Sequence, residues 1–329
     1  RAQLQKPEDW HKRYKLNNIN PFKKQGKCNI IYYMGFKKEI SDFYVNKTRC
    51  AGWLYLPDNV KNPPIIVMAH GFGAERTFKL DAFAERFANA GYSVFLFDYR
   101  TFGDSDGEPR NNINPFKHLR DWKCAIEHVR TLDNIDTKKI VLWGTSFSGG
   151  HVIVSAARDK KISGIIAQVP FVDGFATVNM LGYKFFLQAT IAGIRDLFRI
   201  ITCRKPYYVP ITSDPDKFGF LNAPGCKDGY LAMVPKDSKW RNECPARTAF
   251  PTLFYRPVTF ADKVECPALV ICALKDELIP VKVVEKAAKK MKNAKFIQLP
   301  VGHFDVYFGN VFEDVIKLQI DFLNSLFKK

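Results

Sequence analysis

Ser146 is the residue best placed to do chemistry. It stands in Gly144-Thr145-Ser146-Phe147-Ser148-Gly149-Gly150, after the apolar run at 140–143 and ahead of an apolar helical pattern. A serine hydroxyl is a weak nucleophile at neutral pH. It becomes useful when a sharp strand-to-helix turn exposes it to an imidazole and to backbone amides facing the attacked carbonyl. Small residues two positions either side let strand and helix approach closely at such a turn, and here they are Gly144 and Ser148. The usual spacing is G-x-S-x-G, so Ser148 departs from it by one hydroxymethyl group. Gly149 and Gly150 follow at once and keep the turn uncrowded, which favours Ser146 over Ser148 as nucleophile. A serine between small residues is commonly only a turn; the strand before it and the helix after it make this one a candidate nucleophile.

A serine nucleophile needs a base, and six histidines are present. His303 lies in Val301-Gly302-His303-Phe304-Asp305, just past the apolar run ending at Pro300 and ahead of the last helical pattern, which suits the role. His151 is nearer in sequence, but five residues of helix turn it about 140° from Ser146. His118 and His128 lie on a helical pattern with charged neighbours and read as surface residues. His11 falls in an unpatterned stretch, and His70 reads as a loop buttress. The base needs an orienting carboxylate. Asp276 follows the strand pattern at 268–273 and gives the chain order Ser, Asp, His. Glu277 is adjacent and remains open, and Asp173 is the runner-up because it follows the strand pattern ending at 169. Two backbone N–H groups must face the developing oxyanion. Phe147 supplies one, and Phe72 in His70-Gly71-Phe72-Gly73-Ala74 is the best source of the other.

The elements that must position these residues alternate. Two strands at 40–45 and 50–56 are joined through Asn46-Lys47-Thr48. Strand patterns follow at 65–69, 93–97, 140–143, 162–169, 268–273 and 295–299. Helical patterns fall at 78–89, 116–132, after Ser146, at 281–291 and at 311–326. Strands alternating with helices pair in parallel, because a parallel crossover needs the length a helix supplies. The reading is an α/β fold, a mostly parallel central sheet with helices on both faces, whose ligand site lies at the carboxyl ends of the strands. The core spans 36–170 and 263–329, preceded by a basic arm at 1–35. Residues 171–262 are too long for a simple loop and open with aromatic helical sequence. They read as a lid, and an insertion that only packs or dimerises is the alternative. Phe175, Tyr183, Phe185 and Phe186 would then line an apolar substrate pocket. The glycine- and aspartate-rich run 98–107 reads as turns rather than a cation site.

Composition narrows the classes. The chain has 329 residues, 47% of them hydrophobic, enough for one large domain. No run of about 18 apolar residues suggests a membrane span. The net charge of +17 favours anionic partners such as acyl thioesters or acidic lipids, with a solvated basic face as the plainer explanation. No nucleic-acid motif accompanies it. The eight cysteines form no C-x-x-C pair, so neither a metal nor a cofactor is expected. Cys203, Cys226 and Cys244 share one irregular segment in which a disulfide is conceivable. Arg1 rather than methionine opens the sequence, leaving room for a leader. One sequon, Asn46-Lys47-Thr48, leaves compartment open, the cytoplasm slightly ahead of secretion. Oligomeric state is not legible.

Together these residues resemble the α/β-hydrolase superfamily over about 50–329. His70-Gly71-Phe72-Gly73, Phe97-Asp98-Tyr99-Arg100, the Ser146 turn and Gly302-His303-Phe304-Asp305 are similar to the branch of X-prolyl dipeptidyl peptidases, acetyl-xylan esterases and fungal polyketide transferases. Trp240-Arg241-Asn242 and Ala246-Arg247 resemble that branch too. The resemblance implies a triad of Ser146, Asp276 and His303 with the Phe72 and Phe147 amides as oxyanion hole. The expectation is a serine hydrolase or acyltransferase acting on a small, hydrophobic ester or thioester through an acyl-enzyme. The alternatives are a non-enzymatic binding or adhesion protein on the same fold, or a peptidase.

Overall fold

A computed structural model describes residues 3–4, 35–58 and 60–327. The basic arm at 1–35, with His11 and Cys28, lies outside the described residues apart from positions 3, 4 and 35. In chain order the first strands are β1 (Gln3–Leu4), β2 (Phe36–Ile40), β3 (Phe43–Val45), β4 (Thr48–Cys50) and β5 (Gly52–Pro57). Asn46, at φ 56°, closes the tight β3–β4 hairpin at the polar tripeptide. The expected strand at 40–45 is two pieces, because β2 pairs with β5 whereas β3 pairs with β4.

The alternating part continues with β6 (Pro64–Ala69), α1 (Leu80–Asn89), β7 (Ser93–Phe97), α2 (Pro115–Val129), β8 (Asp136–Thr145), α3 (Phe147–Arg158) and β9 (Gly164–Gln168). After the insertion come β12 (Ala268–Ala273), α7 (Val281–Lys290), β13 (Ala294–Leu299) and α8 (Gly309–Phe327). Among the described residues nine strands share one sheet, in the order β1-β13-β12-β9-β8-β6-β7-β5-β2. All neighbours are parallel except β7–β5 and β5–β2. Central strands are covered on both faces and therefore read as unbroken apolar runs: Ile65 to Ala69, Val94 to Phe97 and Ala268 to Ala273 are all buried.

The helices form where apolar spacing and caps coincide. In α1, Leu80, Phe83, Ala84, Phe87 and Ala88 recur at three- and four-residue steps and face the sheet. Each phenylalanine so buried contributes about 1.5–3 kcal/mol. Helix α2 starts at Pro115, and the Asn114 side chain accepts from the Phe116 and Lys117 amides. Its inner face includes His118, a correction to the surface reading. His118 follows Pro115 by three and precedes Trp122 by four, so it shares the buried stripe. His128 is half-buried against Ser41 and Phe43 rather than free on the surface.

Residues 169–267 hold α4 (Gly174–Ile201), β10 (Tyr208–Val209), α5 (Cys226–Leu231), β11 (Cys244–Pro245) and α6 (Ala249–Leu253). Helix α4 is broken at Gly182, where φ 88° and ψ 172° lie in a region open to glycine. The segment is tied together by buried Asp196, which accepts from the Tyr207 amide at 2.7 Å and from Arg247 Nε at 2.6 Å. Cys203, Cys226 and Cys244 are free thiols, so no disulfide staples it.

Candidate active site

Ser146 stands between β8 and α3 with φ 54° and ψ −119°, a backbone conformation that costs a non-glycine residue about 1–3 kcal/mol. Its surroundings hold it there. The Ser146 amide donates to Gln168 O at 2.9 Å, and its carbonyl accepts from the Phe171 amide at 2.8 Å. A Cβ on Gly144 would collide with the Ser148 carbonyl, which explains the small residue at that position. Ser148 replaces the second glycine without crowding because its hydroxyl turns inward to accept from Tyr99 OH at 3.0 Å. Ser148 is therefore buried and directed away from Ser146.

Asp276 and His303 converge on Ser146 from the ends of β12 and β13. His303 Nε2 lies 3.1 Å from Ser146 Oγ, and His303 Nδ1 lies 2.6 Å from Asp276 Oδ2. Both side chains are almost fully buried. The other carboxylate oxygen, Oδ1, accepts from the Leu278 and Ile279 amides at 2.9 Å each. With a carboxylate as its partner, Nδ1 carries the ring proton, which leaves the Nε2 lone pair facing the serine hydroxyl. Glu277 is exposed beside it, with its carboxylate outside this chain of contacts. Asp173, the runner-up acid, caps α4 by accepting from the Ala176 amide and pairs with Arg256 at 2.8 Å.

A buried polar chain joins the serine strand to the histidine loop. Tyr307 OH meets Thr145 Oγ1, Gln168 Nε2 donates to Thr145 Oγ1, Gln319 Nε2 donates to Gln168 Oε1, and Trp143 Nε1 donates to Gln319 Oε1. Each member is satisfied by another, so the network fixes β8, β9 and α8 in one register.

Phe147 opens α3, so its N–H has no acceptor within the helix. The Phe72 amide lies across the cleft on a loop held at three successive carbonyls. His70 Nδ1 is 3.1 Å from Gly71 O, Tyr230 OH donates to Phe72 O at 3.0 Å, and Trp240 Nε1 donates to Gly73 O at 2.8 Å. Sequence reasoning anticipated His70 as a buttress but missed Tyr230 and Trp240, whose contacts span more than a hundred and fifty residues. Asp98, read as a turn residue, is buried; it accepts from the Arg76 amide at 2.7 Å and pairs with the Arg76 guanidinium.

An apolar cavity of about 260 Å³ opens from Ser146. Its wall includes Phe72, Phe147, Leu181, Phe185, Phe186 and Ile279. Of the four aromatic pocket candidates, Phe185 and Phe186 border the cavity; Phe175 and Tyr183 do not. The break at Gly182 resets the helix phase and leaves Tyr183 exposed, and Phe175 packs against Phe254 beneath the Arg256 guanidinium.

Three buried histidines lie behind the site. His118 stacks on Tyr99 with centroids 4.0 Å apart, His118 Nδ1 faces His151 Nε2 at 3.4 Å, and His151 Nδ1 meets Tyr255 OH at 2.7 Å. His151 is thus committed to Tyr255, not to the serine. Burial lowers His70 to about 4 and His151 to about 3, and pushes His118 well below its ordinary value. Unfolded histidines bind a proton below about 6.5, so between that pH and about 4 the unfolded state takes up protons first. The contribution of the three histidines is therefore full above pH 6.5 and falls as pH drops toward 4. Burial that raises Glu75 to about 7 and Asp121 to about 6 opposes it. Two carboxyls offset only part of three histidines, so stability is expected to fall. Each neutral histidine contributes up to about 1.4 kcal/mol of loss per pH unit. Melting temperatures recorded from pH 7.5 to 4.5 check this, and a flat profile would contradict it.

The parallel sheet, the strained serine turn and the histidine loop after the last strand define an α/β hydrolase, and the chain belongs to that family. A family profile described as serine aminopeptidase, S33, matches residues 61–206. The quorum-quenching protein AidA of Acinetobacter baumannii (strain MDR-ZJ06) is 38% identical, over 86% of this chain and 93% of its own. Thiohydrolase aneE of Aspergillus aculeatus is 28% identical over 88% of this chain and 93% of its own. The crystal structure of the α/β hydrolase GrgF from Penicillium sp. sh18 superposes with a TM-score of 0.74 at 22% identity, covering 88% of this chain and 98% of that one. The family and its relatives' names mark the chain as a hydrolase or transferase of the α/β-hydrolase type. Among the described residues no helix is long and apolar enough to cross a membrane.

Proposed function

We propose that the chain is a serine hydrolase or acyltransferase that takes an apolar acyl group from a small ester or thioester through an acyl-enzyme on Ser146. The observation that carries this reading is the unbroken run Ser146 Oγ, His303 Nε2, His303 Nδ1, Asp276 Oδ2 at the mouth of an apolar cavity. His303 takes the serine proton as Oγ attacks the carbonyl, and the Phe72 and Phe147 amides receive the oxyanion. His303 then returns the proton to the departing alcohol or thiol, and water or another acceptor resolves the acyl-enzyme by the reverse sequence. Asp276 keeps the imidazole in the required tautomer. The thiohydrolase relative supports a thioester as one substrate class.

Residues 171–262 act in this reading as a lid whose α4 walls the acyl pocket, and 36–170 with 263–329 as the catalytic core. Incubation with an alkyl fluorophosphonate tests the proposal. A single adduct, mapped to Ser146 by peptide mass, is expected; folded protein that takes up no label refutes it.

The cavity wall gives a further expectation. With no polar group along Phe185, Phe186 and Leu181, kcat/KM should climb with acyl length, up to about fourfold per methylene, until the cavity is full. Phe186→Ala should flatten that climb and leave acetyl-ester turnover nearly intact, since a two-carbon acyl group ends near Ser146. A chain-length series superimposable on that of the unaltered protein would remove Phe186 from the pocket.

A further inference from the structure

The outer face of α4 carries large apolar side chains that the described residues leave exposed. Leu187, Ile191, Ile194, Phe198 and Ile201 are between 44% and 80% exposed. At 100° per residue they fall within about 80° of arc. A contiguous apolar stripe of this kind marks an interaction surface rather than scattered surface hydrophobes.

Charge distinguishes the possible occupants. One edge of the stripe carries Lys184 and Arg195, and the chain just past the helix adds Arg204 and Lys205, all exposed. None of the four pairs with a carboxylate among the described residues. The only acid on α4, Asp196, is buried and bound to Arg247. A second copy of the chain would bring the same cationic border up to its own. An anionic lipid surface meets both features, since the apolar face enters the acyl region while the cations stay at the headgroups. The opposite edge of the stripe leads to the cavity, because Phe186 is both partly exposed and part of its wall.

We infer that the chain binds the surface of anionic membranes through the outer face of α4, with the mouth of the acyl cavity turned toward the lipid. The binding surface does not depend on the acyl-enzyme reading, because association is measured without turnover.

Co-sedimentation of the full chain with phosphatidylcholine vesicles, with and without phosphatidylglycerol, tests it. Binding to the phosphatidylglycerol vesicles should be at least about tenfold tighter and should weaken as salt shortens the Debye length. The variant K184Q/R195Q/R204Q should bind on the order of a hundredfold more weakly, from about fivefold per cation. L187S/I194S should lose binding as well. Both variants alter exposed residues outside the cavity, so the melting curve without vesicles should stay close to that of the unaltered chain and shows that the fold is intact. No sedimentation of the unaltered chain with either vesicle, or equal sedimentation of all three proteins, overturns the inference. A dimer that L187S/I194S dissociates overturns it too, since a second copy would then cover the stripe.

Discussion

Alanine at Ser146 is expected to lower hydrolysis of a short activated ester by about 10⁴-fold or more, with a melting temperature close to that of the unaltered chain. The change removes only Oγ, whose partner is His303 Nε2, and leaves the backbone bonds of the turn in place. His303→Ala should cost a similar factor. The double variant should be little worse than either, because a base without its nucleophile has no proton to take. The measurement is kcat for the three proteins. Losses that multiply in the double variant would mean that serine and histidine act separately, and the acyl-enzyme mechanism would fall with them.

Asp276→Asn is expected to cost about 10⁴-fold in kcat with little change in fold. An amide can donate to Nδ1, which favours the tautomer with its hydrogen on Nε2, aimed at the serine and unable to accept. Asparagine can still present an oxygen to the Leu278 and Ile279 amides, so the loop is retained. Asp173→Asn is the control, since asparagine still caps α4 while losing only the pair with Arg256. Its effect should be confined to stability. If Asp173→Asn proves the damaging change and Asp276→Asn is mild, the acid has been misassigned.

Much of the fold and the site was legible because the signals are local. Strand β12, helix α7 and the serine turn each announce themselves within a dozen residues, and the order of Ser146, Asp276 and His303 needs only the alternation of elements. His118 could have been placed correctly, since its three- and four-residue spacing from Pro115 and Trp122 puts it on the buried stripe despite its charged neighbours. The clamps on the Phe72 loop had no local signal: Tyr230 and Trp240 arrive from an insertion whose course depends on the buried Asp196–Arg247 pair. The aromatic pocket residues were half legible. A helix read as continuous from 175 gives one phase, whereas Gly182 divides it into two, so Phe175 and Tyr183 fall away from the wall that Phe185 and Phe186 share.

The proposed reacting groups ride on the ends of β8, β12 and β13, whereas much of the cavity wall comes from α4 and α6, which lie outside the main sheet. Substitutions in those two helices can therefore change which molecules fit while leaving the distances among Ser146, Asp276 and His303 untouched. Selection acting on such a chain can explore new substrates by small steps without first losing the old chemistry. The same separation gives directed evolution a natural library, with diversity confined to the positions on α4 and α6 that face the cavity.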